Sequence, residues 1–111
     1  MVEPQSEWLN RVFRALGDPT RRQMLRSLAG RDRTVSELAQ PHRMSLAAAS
    51  KHVRALERAG LLRRTVKGRT HVCRIRPRAL VGAHEWLHFY ARFWNERLDA
   101  LEAVLSRTSQ D

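Results

Sequence analysis

Residues 45–59 carry the pattern that most restricts the fold of this 111-residue chain. Ser45 is suited to an N-cap because its hydroxyl accepts a first-turn N–H, and Gly60 suits the left-handed residue that often follows a helix. The apolar residues between them recur at helical spacing, at Leu46, Ala49, Val53 and Leu56. We therefore expect a helix that ends near Ala59 and turns this face toward the core.

The opposite face of this helix is small and basic. It carries Ala47, Ala48, Lys51, Arg54 and Arg58. Small residues let the backbone approach the floor of a DNA groove, and Ser50, Lys51 and His52 offer hydrogen-bond donors to base edges or phosphates. A solvated amphipathic helix is the alternative, because Ala, Lys and Arg favour helices anyway. The neighbouring segments decide between the two.

A shorter helix is predicted just before it. Thr34 and Glu37 form an S/T-x-x-E capping box ahead of an apolar pair, which predicts a helix over about 35–40 that ends at Pro41. Two short helices joined by a tight turn, the second with a basic outer face, make a helix-turn-helix over residues 34–59.

Residues 61–76 follow as a basic hairpin. The runs 61–66 and 71–76 are strand-like and flank a Lys67-Gly68-Arg69 tip, where glycine can adopt a positive φ. The basic residues of the hairpin are Arg63, Arg64, Lys67, Arg69, Arg74 and Arg76. Basic residues also protect exposed strand edges. So many of them directly after such a helix favour a wing that contacts phosphates or the minor groove.

The net charge of +10 points to a polyanionic partner. Lys and Arg are concentrated in the middle of the chain, above all in 61–78, which contains no Asp or Glu. A protein of the membrane surface would instead carry its charge along an amphipathic helix with a bulky apolar face. We therefore expect double-stranded DNA as the partner and no membrane contact.

The single cysteine and the N-terminal residues indicate the cellular compartment in which the protein is expected. Cys73 alone excludes an intrachain disulfide and a cysteine-based zinc site, and a redox sensor there would require a partner cysteine. It is interpreted as a small packing residue. The first residues, MVEPQSEWLN, do not resemble a signal peptide, and no apolar run approaches the ~18 residues of a membrane span. We expect a soluble, cytoplasmic protein without a cofactor.

The two ends of the chain are predicted to be helices that build a dimer. A helix over 7–16 is followed by another that begins at Asp18-Pro19, an N-cap and a proline at the first helical position. Residues 79–106 form one long helix whose heptad seam is Leu80, His84, Leu87, Ala91, Trp94, Leu98, Leu101 and Leu105. The candidate dimer contacts are Trp8, Phe13, Leu87, Tyr90, Trp94, Leu98 and Leu101.

The long helix also contains His84-Glu85-Trp86-Leu87-His88, which matches the H-E-x-x-H pattern of zinc peptidases. The residues after it lack the glycine and the third histidine of the extended motif, and a dimer helix offers no substrate cleft. We therefore expect no enzyme. Histidines packed at a helix interface are the simplest interpretation, and the alternative is a regulatory metal at His84 and His88 completed by a partner subunit.

The chain resembles the ArsR/SmtB family of bacterial winged-helix repressors in four segments: FRALGDPTRRQMLRSL, TVSELA, MSLAAASKHVRALERAGLLRR and KGRTHVCRI. The similarity covers roughly residues 10–76, and the long terminal helix matches in kind. It implies a homodimer that binds an operator near its own promoter and blocks polymerase. It also places Ala47, Ala48, Ser50, Lys51 and His52 on the recognition helix and Lys67, Gly68 and Arg69 at the wing tip.

The chain departs from the metal-sensing members of that family at two places. The segment TVSELAQ lacks the cysteine pair of arsenic, cadmium and lead sensors. Gly82 stands two residues before His84, where the zinc-sensing pattern has Asp. The closer resemblance is to the branch without either site, whose members often act as autorepressors. Any effector or partner protein is left open.

Together these observations predict one domain over 1–111, mainly α with a small β-hairpin wing. It is a winged helix-turn-helix of order α-α-α-α-β-β-α, dimeric through its terminal helices. The predicted DNA contacts are Ala47, Ala48, Ser50, Lys51, His52, Arg54, Arg64, Lys67, Gly68 and Arg69. The predicted function is a homodimeric, sequence-specific repressor or autorepressor on an inverted-repeat operator. The alternatives are a metal-responsive repressor of the same fold and a non-regulatory module that binds another protein.

Overall fold

Five α-helices and three strands follow one another in the computed structural model, which describes residues 4–109 and the side chains of 7–108. They are α1 (Pro4–Leu16), α2 (Pro19–Leu28), β1 (Arg33–Thr34), α3 (Val35–Ala39), α4 (Leu46–Arg58), β2 (Leu62–Lys67), β3 (Thr70–Ile75) and α5 (Pro77–Ser109), with a 3-10 turn at Gln40–His42 between α3 and α4. The predicted winged helix-turn-helix fold is confirmed. None of the helices in this part of the chain is long and apolar enough to cross a membrane.

Local capping chemistry sets where three of the helices begin. The Asp18 carboxylate accepts two first-turn N–H groups of α2, and these backbone hydrogen bonds lower the pKa of that carboxyl. Thr34 and Glu37 form the predicted reciprocal capping box of α3, with N–H to oxygen distances of 3.1 and 3.0 Å. The Ser45 hydroxyl accepts the Ala48 N–H at 3.1 Å. Each of these helices therefore starts where its N-cap predicts.

The sheet contains a strand that the sequence did not predict. Its order is β1-β3-β2, and β1 pairs antiparallel with β3 through Arg33 opposite Cys73 and Thr34 opposite Val72. A two-residue strand has no periodicity to detect. Because β1 runs directly into α3, this pairing joins the base of the wing to the helix-turn-helix.

The wing hairpin is tighter than expected. Lys67 pairs with Thr70, so that the turn consists of Gly68 and Arg69 alone, and the strands run one residue closer to the tip than predicted. Gly68 has a φ of 63°, as required at the first position of one of the common two-residue hairpin turns. The tip therefore presents two adjacent residues at a fixed angle to the strands.

The core lies between α4, the sheet and the surrounding helices. Its fully buried side chains include Met24, Leu28, Leu38, Val53, Leu56, Leu61, Leu62 and Cys73. Leu46 was predicted to share the core-facing stripe of α4, and that prediction is wrong, because its side chain is 57% exposed. As the first residue of α4, Leu46 extends beyond the core and lines a groove beside the wing.

Trp8 and Phe13, predicted as dimer contacts, pack within the chain where α1 meets α5. A Cβ at Gly82 would lie 2.6 Å from Cζ3 and 2.7 Å from Cη2 of Trp8, so the indole ring rests directly on the backbone of α5. The Phe13 ring meets Trp86 edge-on with 5.2 Å between centroids. Both rings stay half-buried, so a dimer contact of their exposed parts remains a prediction.

Helix α5 is longer than predicted and mostly outside the core. It begins at Pro77, which occupies the first helical position where its missing N–H is not needed. Ala79 and Ala83 are buried, whereas every described side chain from 84 to 108 is exposed. The exposed large apolar residues of this helix include Leu87, Tyr90, Trp94, Leu98 and Leu101. A contiguous set of large exposed apolar side chains on one helix is typical of a surface that packs against a partner.

Candidate nucleic-acid interface

The outward ridge of α4 is the first part of the candidate interface. Exposed along it are Ala47, Lys51, Arg54 and Arg58, while Ala48 and Ser50 are half-buried. On the opposite side Ala49, Val53 and Leu56 have no exposed surface. The core therefore fixes one face of α4, and the other presents small and basic side chains, as predicted.

A groove of about 530 Å³ connects this ridge to the wing. Its walls are Thr34, Val35, Ser36, Leu46, Ser50, Arg54, Arg64, Arg69, Thr70 and His71. Arg54 of α4 and Arg69 of the wing tip thus face the same space. The structure brings together predicted contacts from two elements and adds the start of α3, which the sequence did not assign to the site.

Arg64 differs from the other predicted contacts in having an ionic partner. Its guanidinium lies 3.3 Å from the Glu57 carboxylate, and the two side chains are only 22% and 35% exposed. Such a pair neutralises part of the charge that Arg64 would offer to a phosphate. Arg64 therefore supports the groove wall by holding β2 against α4, in addition to any contact with DNA.

The wing carries its remaining positive charge at the tip and on its outer face. Lys67, Gly68 and Arg69 are exposed. On the outer face Arg74 forms an ion pair of 3.0 Å with Asp32, and the hydrogen bond that it donates to this carboxylate raises the pKa of the guanidinium. The tip residues form no ion pair in the described part of the chain, so their charge is available to a phosphate.

His52 is placed on the flank of α4 that faces α2. Its Nδ1 accepts a hydrogen bond of 3.2 Å from Nε of Arg21. A neutral ring that accepts at Nδ1 carries its proton on Nε2, which leaves one donor for DNA. No sequence pattern predicted a role for Arg21 in the site. Its position depends on the packing of α2 against α4, which no local pattern reveals.

The H-E-x-x-H residues lie on the exposed part of α5. The rings of His84 and His88 are stacked with centroids 6.0 Å apart and planes at 19°. No group of three or more metal-ligating side chains is found among the residues that the structure describes. A structural zinc ion usually binds about four ligands in a tetrahedral arrangement. A site at this pair would therefore require ligands from a second chain, and it remains a prediction.

Cys73 packs in the core as a small apolar residue. It is fully buried in β3, and burial raises the pKa of its thiol to about 11. The thiolate is the reactive form of cysteine, and it is scarce at neutral pH when the pKa is this high. The position thus suits packing, as predicted, and is unsuited to redox sensing.

Proteins of similar sequence are known. Residues 16–65 match a family model described as a helix-turn-helix domain. The chain is similar to the transcriptional repressor SdpR of Bacillus subtilis (strain 168), with 30% identity over 79 residues that cover 71% of this chain and 88% of that protein.

Solved structures of transcriptional regulators also resemble the chain. The chain is similar to an ArsR family transcriptional regulator, RHA00566, with a TM-score of 0.76 and 38% identity over 86% of this chain and 97% of the other. It is similar to an ArsR-like regulator from Rhodococcus sp. RHA1, with a TM-score of 0.68 and 32% identity over 88% and 92% of the two chains. The homodimeric winged helix-turn-helix domain of Mb0332 from Mycobacterium bovis has a TM-score of 0.62 and 28% identity, covering 78% and 82%.

Proposed function

The chain belongs to the ArsR family of winged helix-turn-helix transcriptional regulators, and we propose that it acts as a homodimeric repressor of an inverted-repeat operator. The family and the fold are those of DNA-binding regulators, which are not enzymes. The observation that carries the proposal is the groove that Arg54 of α4 and Arg69 of the wing both line. A helix and a hairpin that share one basic surface fit the major groove and the adjacent backbone of a duplex.

The homodimer is inferred from α5. Its heptad seam leaves Trp94, Leu98 and Leu101 more than half exposed, and a second copy of the same helix would cover these side chains by the packing of a coiled coil. The homodimeric Mycobacterium bovis relative supports this arrangement. A two-fold dimer would set its recognition helices about 34 Å apart, one turn of DNA.

The repressor activity is inferred from sequence similarity to a repressor and from the way in which a dimer would cover a promoter. The Bacillus subtilis relative is a transcriptional repressor. A dimer that covers two half-sites on one face of a promoter would exclude polymerase from that segment of DNA. An operator close to its own promoter would make the protein an autorepressor.

We assign the parts of the surface as follows. Ala47 and Ala48 allow the backbone of α4 to approach the floor of the major groove, and Ser50 and Lys51 donate hydrogen bonds to base edges. His52 donates through Nε2, and Arg54, Arg64, Lys67, Gly68 and Arg69 contact phosphates or the adjacent minor groove. Base contacts would then come from few side chains, so the wing and the shape of the DNA contribute strongly to recognition.

A salt titration of operator binding tests the proposed DNA contact. If Arg54, Lys67 and Arg69 of each subunit each neutralise one phosphate, log affinity falls against log salt with a slope of about −5, because each contact contributes about 0.9. Fluorescence anisotropy with a labelled duplex would measure the slope. A slope near zero would contradict the proposal.

Lys51→Ala and Arg69→Ala are expected to have different effects. Loss of Lys51 should reduce binding to the operator by about 1–3 kcal/mol and binding to random DNA by less, because Lys51 reads bases. Loss of Arg69 should weaken both equally and lower the salt slope of the dimer by about 1.8. Arg107→Ala, an exposed position far along α5, is the matched control. Equal losses for operator and random DNA in Lys51→Ala would refute the base contact.

A further inference from the structure

A second basic groove lies on the other flank of α4, between α1, α2 and α4. Its volume is about 460 Å³. Its walls are Arg11 and Arg14 of α1, Arg21 of α2 and Arg58 of α4, and its remaining lining residues are Ala15, Ala55 and Ala59. This surface is called the arginine groove. The sequence did not indicate it, because each of its helices contributes only one or two arginines.

Three of the four arginines of this groove, Arg11, Arg14 and Arg58, form no ion pair among the described residues. Among the described residues the ion pairs involve Arg31, Arg64 and Arg74, all outside the groove. Arg21 donates a hydrogen bond to Nδ1 of His52. The Asp18 carboxylate accepts two backbone N–H groups at the start of α2 and also interacts electrostatically with Arg21, so the charge of Arg21 is partly compensated. Like charges held together without a counter-ion repel one another, so the groove favours an anionic occupant.

The shape of the groove suits an extended anion. Its alanine side chains are short, so the space between the arginines stays open. Arg11, Arg14 and Arg58 are exposed and can turn their guanidinium groups toward a phosphate, with which arginine forms paired hydrogen bonds. A sugar-phosphate strand is such an anion, because it is extended and carries a phosphate at every nucleotide.

The position of the groove identifies which phosphates it would contact. Ala55, Arg58 and Ala59 belong to the recognition helix or its C-cap, and Arg21 is bonded to His52 on the same helix. The major groove is about 12 Å wide and a helix with its side chains is about 10–12 Å across, so a helix lying in it meets a backbone strand on each flank. The groove between α4 and the wing lies along one flank of α4, and the arginine groove lies along the other.

We propose that the arginine groove binds the sugar-phosphate backbone that borders the major groove on the side away from the wing. This inference rests on the proposed function. It assigns DNA contacts to Arg11 and Arg14 of α1, a helix whose other face packs on α5 through Trp8 and Phe13. One helix would then connect the DNA backbone to the long helix of the dimer.

The test is the salt dependence of operator binding by the double variant Arg11→Ala and Arg14→Ala. Both positions are exposed and alanine is the best helix former, so the fold should be retained. Loss of two phosphate contacts per subunit should lower the slope of the dimer by about 3.6. The difference in affinity between wild type and variant should then shrink about a hundredfold between ~50 and ~200 mM salt.

The matched control is Arg92→Ala with Arg107→Ala. It removes the same charge from exposed positions of α5 and should leave the slope nearly unchanged. If the wild type binds with a steep slope and the Arg11/Arg14 variant shows the same slope, the arginine groove does not contact DNA, although the proposed function stands. If the wild type itself shows no salt dependence, the proposed function fails first.

Discussion

Replacing Leu98 and Leu101 with glutamate is expected to separate the protein into folded monomers and to abolish tight operator binding. Both side chains lie on the predicted seam of α5 and are 56% and 54% exposed in the single chain. Burial of a leucine contributes about 1.5–3 kcal/mol. Because only about half of each side chain remains to be buried, the four leucines of a dimer correspond to about 3–7 kcal/mol, so the dissociation constant of the dimer should rise at least about 10²-fold.

The effect on DNA binding arises because the two subunits of a dimer bind the two half-sites of one operator together. A monomer binds one half-site without the effective concentration that the second subunit provides, so affinity for the full operator should fall by about 10²–10⁴. Sedimentation equilibrium would measure the dimer and anisotropy would measure DNA binding, with circular dichroism to verify the helical content.

The matched control places the same two glutamates at Ala100 and Ala103. These positions are also exposed but lie away from the heptad seam. This variant should remain dimeric and bind the operator normally. A Leu98/Leu101 variant that stays dimeric, or a control that dissociates equally, would show that the seam is not the interface.

Gly82→Ala is expected to destabilise the fold by about 1–3 kcal/mol, the usual effect of inserting a methyl group into a packed contact. The direction of this change in the free energy of unfolding is informative, because replacing glycine with alanine inside a helix normally stabilises the helix by up to about 1 kcal/mol. Here the new Cβ would lie 2.6 Å from the Trp8 ring, so the ring or α1 must move. Urea denaturation at one fixed protein concentration would measure the change.

Two comparisons isolate the cause. Gly30→Ala is the control, because a Cβ there meets no atom within 4 Å, and it should be close to neutral. In a Trp8→Ala background, Gly82→Ala should lose its destabilising effect, which would give a coupling energy of about 1–3 kcal/mol in a double-mutant cycle. If Gly82→Ala is as stable as the wild type, the close packing of α1 on α5 is refuted. In this chain the same contact disfavours the aspartate that the zinc-sensing pattern has at this position.

The parts of the fold that the sequence predicted are those with local causes. Asp18, Ser45 and the Thr34–Glu37 capping box each determine a helix start through hydrogen bonds to residues two or three positions away. The parts that it missed depend on contacts between distant segments. The strand β1 exists only because β3 lies beside it, and Leu46 is exposed because the start of α4 extends beyond the core into the groove beside the wing.

The candidate site also has features that the sequence predicted and features that depend on contacts between distant segments. The composition of α4 and of the wing predicted where the basic surface lies. It did not predict that Glu57 pairs with Arg64 or that Arg21 holds His52, since both contacts depend on how α4 packs against β2 and α2. The arginine groove combines three helices, each of which resembles an ordinary solvated helix when read alone.

Selection from a pool of random oligonucleotides tests the central claim most directly. The purified protein, as a dimer, is expected to enrich one inverted repeat whose half-site centres lie about 10 base pairs apart, the spacing of recognition helices that enter successive major grooves. Enrichment of no sequence over several rounds, with binding to all duplexes equal, would contradict a sequence-specific regulator and favour a module that binds another protein.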